Sequence, residues 1–190
     1  MLPADSAENA QVPAPNLFAA ADIKAILRQR HWLTNDWKSA IDNQQAAIEV
    51  WLERAAALLG PHAADVETLA GLLGLVFQYD AQAILKTPEA HTVLAREGAR
   101  EVIRNLAHSV LDAGEIDSDS FKEIVTALKE KTGRRGRELF HPLRLALAGC
   151  AGEGELDRVI LLLDGAAKLP FAVSVKTVRE RMLEFCAALD

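Results

Sequence analysis

The amino-acid sequence predicts an all-α protein built as a multi-helix bundle. Apolar residues recur at intervals of three and four along almost the whole chain, which is the spacing of one buried face of a helix. We find no stretch of strict apolar and polar alternation bounded by hairpin turns, so strands are not expected. Capping residues, glycines and prolines divide the pattern into segments of helical length.

The helices expected before residue 115 follow a polar leader. Residues 1–16 carry acids and three prolines without an apolar segment, so we expect a disordered leader rather than a targeting peptide. The next helices are predicted to begin near Leu17, at Thr34 or Asn35, at Asp65, at Asp80 and at the sequence Thr87-Pro88-Glu89. Gly60-Pro61 should end the second helix, and the last should run unbroken to Gly114. Val66 is expected on the buried face of the third helix.

After residue 115 the chain is expected to form further, shorter helices. They are predicted to begin at Asp117 or Ser118 and near Pro142, Gly154 and Ser174. The predicted stops are Gly133, Gly149 and Gly165. Residues 112–120 form a polar break, which divides the chain into two predicted helical lobes, residues 17–115 and 116–190.

The composition excludes several classes of function. No apolar run is long enough to span a membrane. Cys150 and Cys186 show no CxxC spacing and no cluster with histidine, which favours two isolated thiols in a reducing cytoplasm. The histidines stand alone, and the sequence has no HExxH, no GxSxG and no glycine-rich turn that would hold ATP phosphates. No catalytic residue, metal site or cofactor is therefore predicted.

The charge of the chain is unevenly distributed. The formal net charge of -6 weighs against a surface that binds nucleic acid throughout, and neither DNA nor a membrane is an expected partner. Between residues 129 and 144, however, the only acids are Glu130 and Glu138, and they face six cations: Lys129, Lys131, Arg134, Arg135, Arg137 and Arg144. A polyanion is expected to bind there first.

The same segment carries a resemblance to a known family. Residues 131–165, KTGRRGRELFHPLRLALAGCAGEGELDRVILLLDG, combine a basic glycine-containing loop, an aromatic residue, a Pro-Leu-Arg triplet, a glycine stop and a leucine-rich helix ending in glycine. The elements are residues 133–137, Phe140, Pro142-Leu143-Arg144, Gly149, the short glycine-containing loop of residues 152–156, and residues 161–165. This order resembles the C-terminal anticodon-binding region of bacterial glutamyl-tRNA synthetases. Weaker similarity extends the resemblance from about residue 50 to the C-terminus.

The resemblance implies two helical anticodon-binding subdomains, a role in translation in the cytoplasm, and tRNA, in particular tRNA for glutamate, as the ligand. In the family the arginine of the triplet faces the anticodon, and the loop before the leucine-rich helix lies beside the same bases. The tRNA-binding residues implied here are Arg134, Arg135, Arg137, Arg144, Glu153, Gly154 and Leu156. This site requires Arg144 to project from a helix start, beside free amides that favour anions, into solvent.

The sequence also allows a purely structural role, without tRNA contact, for each of these residues. Arg144 can form a surface ion pair, Leu156 can belong to the core, and the basic loop can be a solvated connection. The chain also departs from the family pattern. Gly154 stands where the family usually has proline, and Cys150 where it often has a basic residue. The carboxylates beside Gly154 would repel a phosphate backbone.

A class I synthetase activates its amino acid on a nucleotide-binding domain with a His-x-Gly-His-type signature and a later lysine-rich loop. The sequence contains neither. We therefore predict a non-catalytic tRNA-binding protein. The alternatives are a helical protein-interaction module that has lost RNA binding and docks on a synthetase or another translation factor, and the separated C-terminal half of a split glutamate–tRNA ligase.

Overall fold

The computed structural model describes residues 16–33 and 42–189, and this part of the chain contains ten α-helices and no strand, which confirms the predicted all-α fold class. The helices are α1 (Ala20–Gln29), α2 (Asp42–Leu59), α3 (Val66–Phe77), α4 (Ala81–Leu85), α5 (Pro88–Leu94), α6 (Ala99–Asp112), α7 (Ser118–Thr132), α8 (Arg137–Ala148), α9 (Glu155–Ala167) and α10 (Val178–Leu189). A 3-10 turn, Gly60–His62, follows α2. Among the described residues, none of the helices combines the length and apolarity needed to cross a membrane.

Several helices begin at the capping residue that the sequence predicts. The N-cap residues of α3, α4, α5 and α7 are Asp65, Asp80, Thr87 and Asp117. At α3, for example, the Asp65 carboxylate accepts the amide of Thr68 at 2.7 Å. Such a bond satisfies an amide that the first helical turn leaves without an intrahelical partner. Because the two residues are close in the sequence, these helix starts can be predicted from a few neighbouring residues.

The helix predicted from Thr87 to Gly114 is in fact two helices. α5 ends at Leu94, and α6 begins at Ala99 after a turn in which Gly98 has a φ of 79°. Both helices pack on α8, but their other neighbours differ. α5 also packs on α4, whereas α6 also packs on α7 and α10. The turn lets each helix bury its own apolar stripe, and the left-handed conformation that it needs is one that glycine adopts readily.

α8 begins at Arg137 rather than near Pro142, so the proline lies inside the helix. Because proline has no amide hydrogen, the backbone bond to the carbonyl of Glu138 cannot form, and a proline inside a helix costs about 3 kcal/mol. The helix continues because almost all of it is in contact with other helices. Leu139 and Leu143 are completely buried, and α8 packs against α5, α6, α9 and α10. The energy gained by burying α8 therefore exceeds the cost of Pro142 inside the helix.

The predicted helix stops have different outcomes. Gly133 and Gly149 end α7 and α8 as expected. Gly165 does not end α9, which continues to Ala167. Gly165 lies on the face of α9 that packs on α2, where a Cβ would be in ordinary van der Waals contact with Trp51 Cδ1 at 3.5 Å.

α10 begins at Val178 rather than near Ser174. Thr177 and Glu180 form a reciprocal cap, in which the Thr177 amide donates to the Glu180 carboxylate at 2.8 Å and the Glu180 amide donates to Thr177 Oγ1 at 3.1 Å. The buried carboxylate of Asp164 accepts the Val178 amide at 2.8 Å. The start of α10 is therefore set partly by a side chain of α9.

Other predictions at the N-terminal end have mixed outcomes. Val66 is 55% exposed rather than buried, since the first residue of α3 faces solvent. Thr34 and Asn35 lie outside the described residues, as do residues 1–15 of the predicted leader. Asn16, at the end of that leader, donates its side-chain amide to the carbonyl of Ala56 at 3.0 Å.

One cluster of buried apolar side chains joins helices from both sides of residue 115. Trp51 of α2 donates its indole N–H to the Leu162 carbonyl of α9 at 3.2 Å. Its ring also meets Phe77 and Phe171 edge-on, and Trp32 stacks on Phe77 at 4.8 Å between ring centroids. Helices of residues 17–115 and 116–190 thus share this core, and the division into two lobes stays a prediction.

A buried guanidinium ties three helices together. Arg181 of α10 is 0% exposed and donates to the carbonyls of Leu147 at 2.9 Å and Val76 at 2.6 Å. Its Cζ lies 4.5 Å from the centroid of the Tyr79 ring, and the Tyr79 hydroxyl donates to the Ala146 carbonyl. Burial lowers the pKa of Arg181 to about 10 and raises the pKa of Tyr79. These bonds connect the ends of α3 and α8 to α10.

Two glycine substitutions should have opposite effects on stability. Gly98→Ala should lower the free energy of unfolding by about 1 kcal/mol, because alanine is strained at a positive φ and its Cβ would lie 2.8 Å from Arg134 Nε. Gly71→Ala, at an exposed position of α3 with nothing within 4 Å of the added Cβ, should raise it by about 0.5–1 kcal/mol. Urea unfolding measures both changes in the free energy of unfolding. If both variants change it equally, alanine is not strained at position 98.

Candidate nucleic-acid interface

The cationic segment predicted from the sequence spans the end of α7, the turn after it and the start of α8. Lys129 and Lys131 lie in the last turn of α7, Arg135 in the connecting turn, and Arg137 at the first position of α8. All four residues are exposed, and 76% of the Arg137 side chain is accessible to solvent. We refer to Lys129, Lys131, Arg135 and Arg137 as the cationic turn.

An exposed ion pair links the start of α8 to the loop that precedes α9. Neither helix has a side-chain cap, because glycines, Gly136 and Gly154, stand at the two N-cap positions. In this pair, Arg137 Nη2 lies 3.4 Å from Glu153 Oε1. Amides at a helix N-terminus together with the positive end of the helix dipole favour anions. At this corner, cations and helix-start amides, which favour anions, thus lie beside carboxylates in the first turns of the same helices, Glu138 in α8 and Glu155 and Asp157 in α9.

Arg134 is directed away from the cationic turn. Only 25% of its side chain is exposed, and the guanidinium lies against Gly98 in the turn between α5 and α6. Nη2 is 3.7 Å from Glu97 Oε1, and Nη1 is 3.5 Å from Glu138 Oε2. Two carboxylates thus offset its charge.

The prediction that Arg144 projects into solvent is wrong. The residue is only 6% exposed, and its Nε and Nη2 donate to the two carboxylate oxygens of Asp157 at 2.8 and 2.9 Å. Nη1 donates to the Gly152 carbonyl at 2.8 Å, and the Phe140 ring lies 4.7 Å from Cζ. Because α8 begins at Arg137, Arg144 lies in the second half of the helix and faces α9 instead of solvent.

The loop before α9 divides the remaining predicted residues. Leu156 is 2% exposed and belongs to the core, so the structural interpretation of this residue is the correct one. Glu153 and Gly154 are exposed beside Arg137. Of the residues implied by the resemblance, Arg135, Arg137, Glu153 and Gly154 are therefore at the surface of this corner.

Sequence reasoning missed a contact between Arg96 and His141. Arg96 Nη1 lies 3.0 Å from His141 Nδ1, and since a guanidinium only donates, Nδ1 accepts and the ring hydrogen is assigned to Nε2. Nε2 is buried without a hydrogen-bond partner among the described residues. Burial and the nearby charges of Arg96 and Arg137 lower the pKa of His141. No local signal predicts this contact, because Arg96 lies in the turn that the sequence analysis assigned to a continuous helix.

Within residues 16–33 and 42–189, no three histidine, cysteine or carboxylate side chains come close enough to hold a metal ion.

Comparison with known families decides the assignment. The family model described as the anticodon binding domain matches residues 24–164, which is more than half of the chain. The chain belongs to the anticodon binding domain family. The matched range includes the cationic turn and the starts of α8 and α9. Family membership does not depend on an exposed Arg144, contrary to the expectation from the sequence.

Several curated relatives of this chain are glutamate–tRNA ligases. Glutamate–tRNA ligase 2 of Syntrophus aciditrophicus is 30% identical over 113 residues, which cover 60% of this chain and 23% of that protein. The glutamate–tRNA ligase of Bacillus licheniformis has the same identity and coverage. Glutamate–tRNA ligase 1 of Maricaulis maris is 51% identical over 59 residues, covering 31% of this chain and 13% of that protein.

The matched region thus makes up less than a quarter of the length of these relatives. These matches confirm the resemblance carried by residues 131–165. No solved structure shows a significant match.

Removing either partner of the Arg144–Asp157 pair should destabilise the domain. Arg144→Ala should lower the free energy of unfolding by about 2–3 kcal/mol, because the Gly152 carbonyl and the Asp157 carboxylate lose charged donors. Urea unfolding of Arg144→Ala, Asp157→Ala and the double variant should show that the losses are not additive. Arg137→Ala, which removes an exposed pair, is the control and should change stability by less than about 1 kcal/mol. An unchanged Arg144→Ala variant would contradict the buried pair.

His141 should make stability depend on pH. Its pKa in the folded chain lies below the ordinary value of 6.5, so the unfolded chain binds the proton first as the pH falls. The free energy of unfolding of the native protein should therefore fall more steeply below pH 6.5 than that of His141→Gln, whereas near pH 8 the two should differ only by a constant. Urea unfolding at a series of pH values measures this. Parallel pH profiles would show that His141 titrates alike in both states.

Proposed function

We propose that this chain is a non-catalytic, cytoplasmic protein that acts in translation and binds tRNA through the cationic turn and the adjoining starts of α8 and α9. The observation that carries the proposal is the family match, because residues 24–164 include this whole surface. Exposed lysines and arginines replace the counterions of phosphates, and uncapped helix starts add oriented amides. Both features occur together at this corner.

The side chains of the cationic turn differ in how freely they meet a phosphate. Among the described residues, no carboxylate pairs with Lys129, Lys131 or Arg135, so these side chains bind a phosphate without losing an ion pair. Arg137 must exchange the Glu153 carboxylate for a phosphate. An exposed pair of this kind contributes only about 0–1 kcal/mol, so the exchange costs little.

In this proposal Arg144 positions the interface instead of contacting the RNA. Its bonds to the Gly152 carbonyl and the Asp157 carboxylate hold the loop before α9 against α8. That loop carries Glu153 and Gly154, which border the cationic turn. The shape of the corner, rather than the charge of Arg144, is what this residue supplies.

The relatives and the sequence support the proposed ligand and the proposed lack of catalysis. The matched relatives are named glutamate–tRNA ligases, which makes tRNA for glutamate the proposed ligand. The chain spans less than a quarter of their length, and its sequence contains none of the signatures that hold ATP in class I synthetases. Aminoacylation is therefore assigned to a different polypeptide or part of one.

A second candidate is a protein-interaction module that has lost RNA binding, with a synthetase or another translation factor as its partner. The ion pairs of Arg134 with Glu97 and Glu138, and of Arg137 with Glu153, favour it because they reduce the positive potential of the corner. The short span relative to the glutamate–tRNA ligases also agrees with a third candidate, the separated C-terminal half of a split ligase.

Binding of labelled tRNA tests the proposal. Arg135→Ala/Arg137→Ala should weaken binding of a transcript of tRNA for glutamate about tenfold or more, and should reduce the slope of log affinity against log salt by about 1–2. Arg28→Ala/Arg54→Ala is the matched control, since both arginines are exposed on α1 and α2, and it should leave the slope nearly unchanged. Fluorescence anisotropy between about 50 and 200 mM salt supplies both quantities.

A variant of Glu153 tests the same proposal in the opposite direction, because it is expected to strengthen tRNA binding. Glu153→Gln frees Arg137 and removes a negative charge, so it should tighten tRNA binding. A native protein that binds no tRNA at low salt would overturn the proposal. If it then co-purifies with a protein and without RNA, the second candidate is favoured.

A further inference from the structure

A groove that the tRNA proposal does not use runs along α6 beside α5 and the end of α10. It consists of two adjoining depressions that share Arg100 and Leu189. The floor is aliphatic, and its main side chains are Leu94, Ile103, Ala107, Leu111 and Leu189. From Arg100 to Leu111 the groove follows α6 for about 16 Å at 1.5 Å per residue. This length matches about three turns of a second helix.

The rim of the groove is cationic. Arg100 and Arg104 are exposed and lie one turn apart on the same face of α6. In the part of the chain that the structure describes, neither forms an ion pair, and no aspartate or glutamate lines either depression. Two like charges four residues apart destabilise a helix by about 0.2–0.5 kcal/mol. Their placement beside apolar side chains, in a chain of net charge -6, indicates a negatively charged partner.

The floor decides which class of polyanion fits. Single-stranded nucleic acid binds by stacking its bases on aromatic side chains, and no aromatic residue other than histidine lines the groove among the described residues. His91 and His108 stand at its two ends, and both are exposed. An aliphatic floor instead suits leucine-type side chains of an amphipathic helix, whose spacing i, i+3, i+4, i+7 places them on one face.

We propose that this groove binds an acidic amphipathic helix of a protein partner. Its apolar side chains would lie on Leu94, Ala107 and Leu189, which are half-buried, and its carboxylates would pair with Arg100 and Arg104. The proposal does not rest on tRNA binding, because none of the residues of the cationic turn lines the groove.

A synthetic peptide tests this inference on the full chain. The probe is a fluorescein-labelled helix with leucines at i, i+3, i+4 and i+7 and glutamates on the other positions. It should bind the native protein at least about ten times more tightly than two comparison peptides, one with lysine in place of glutamate and one with serine in place of leucine. This factor corresponds to about 1.4 kcal/mol. Equal binding of the acidic and lysine peptides would overturn the proposal.

Matched charge reversals locate the site. Arg100→Glu/Arg104→Glu should weaken binding of the acidic peptide at least tenfold, whereas Arg28→Glu/Arg54→Glu, which changes the net charge equally on α1 and α2, should have little effect. Far-UV circular dichroism and urea unfolding confirm that both variants fold. If both variants weaken binding equally, the effect is one of overall charge and the groove is not the site.

Two further outcomes would assign the groove to another occupant. If Arg100→Glu/Arg104→Glu weakens tRNA binding more than Arg28→Glu/Arg54→Glu does, the groove belongs to an RNA surface and the proposal fails. If sedimentation shows a dimer of the native chain that the groove reversal alone dissociates, the occupant is a second copy, and the proposal also fails. An unchanged monomer that keeps tRNA binding and loses the acidic peptide supports it.

Discussion

The pair between Arg144 and Asp157 sets the geometry of the surface on which the candidate interface depends. Both members sit on helices that meet at this pair, and the guanidinium also bonds the Gly152 carbonyl in the loop between them. A buried charge is costly unless its hydrogen-bonding groups are satisfied, and here Nε and both terminal nitrogens have acceptors. The loop from α8 to α9 is therefore held closely against α8, with Glu153 within 3.4 Å of Arg137 at the start of that helix.

The other buried charges use backbone partners. Arg181 donates to carbonyls of two helices, and Asp164 accepts the amides of Ile116 at 2.7 Å and Val178 at 2.8 Å. Asp164 thereby fixes the approach to α7 and the start of α10 with a single carboxylate. Because backbone groups stay in place whatever side chain they carry, such bonds orient helix ends and loops rather than pairs of side chains. They join segments that are far apart in the sequence within one core.

The cations on the described surface fall into two settings. Around the cationic turn, Arg134 and Arg137 already have carboxylate neighbours, so an incoming phosphate must compete with them. Along the α6 groove, Arg100 and Arg104 form no ion pair among the described residues, and they border aliphatic side chains. The turn between α5 and α6, where Arg134 packs against Gly98, lies next to both regions. A charge pattern of this kind permits an RNA and a protein to bind separate faces.

Local chemistry determined much of this fold. Asp65, Thr87 and Asp117 mark helix starts because each caps an amide within its own first turn, and Gly133 ends α7 through its own backbone conformation. The family resemblance also follows from a contiguous motif. The orientation of Arg144, the burial of Leu156, the interruption at Gly98 and the persistence of α8 through its proline were decided by tertiary structure. Each depends on contacts between segments distant in sequence, and their packing energies exceed the propensities of the residues concerned.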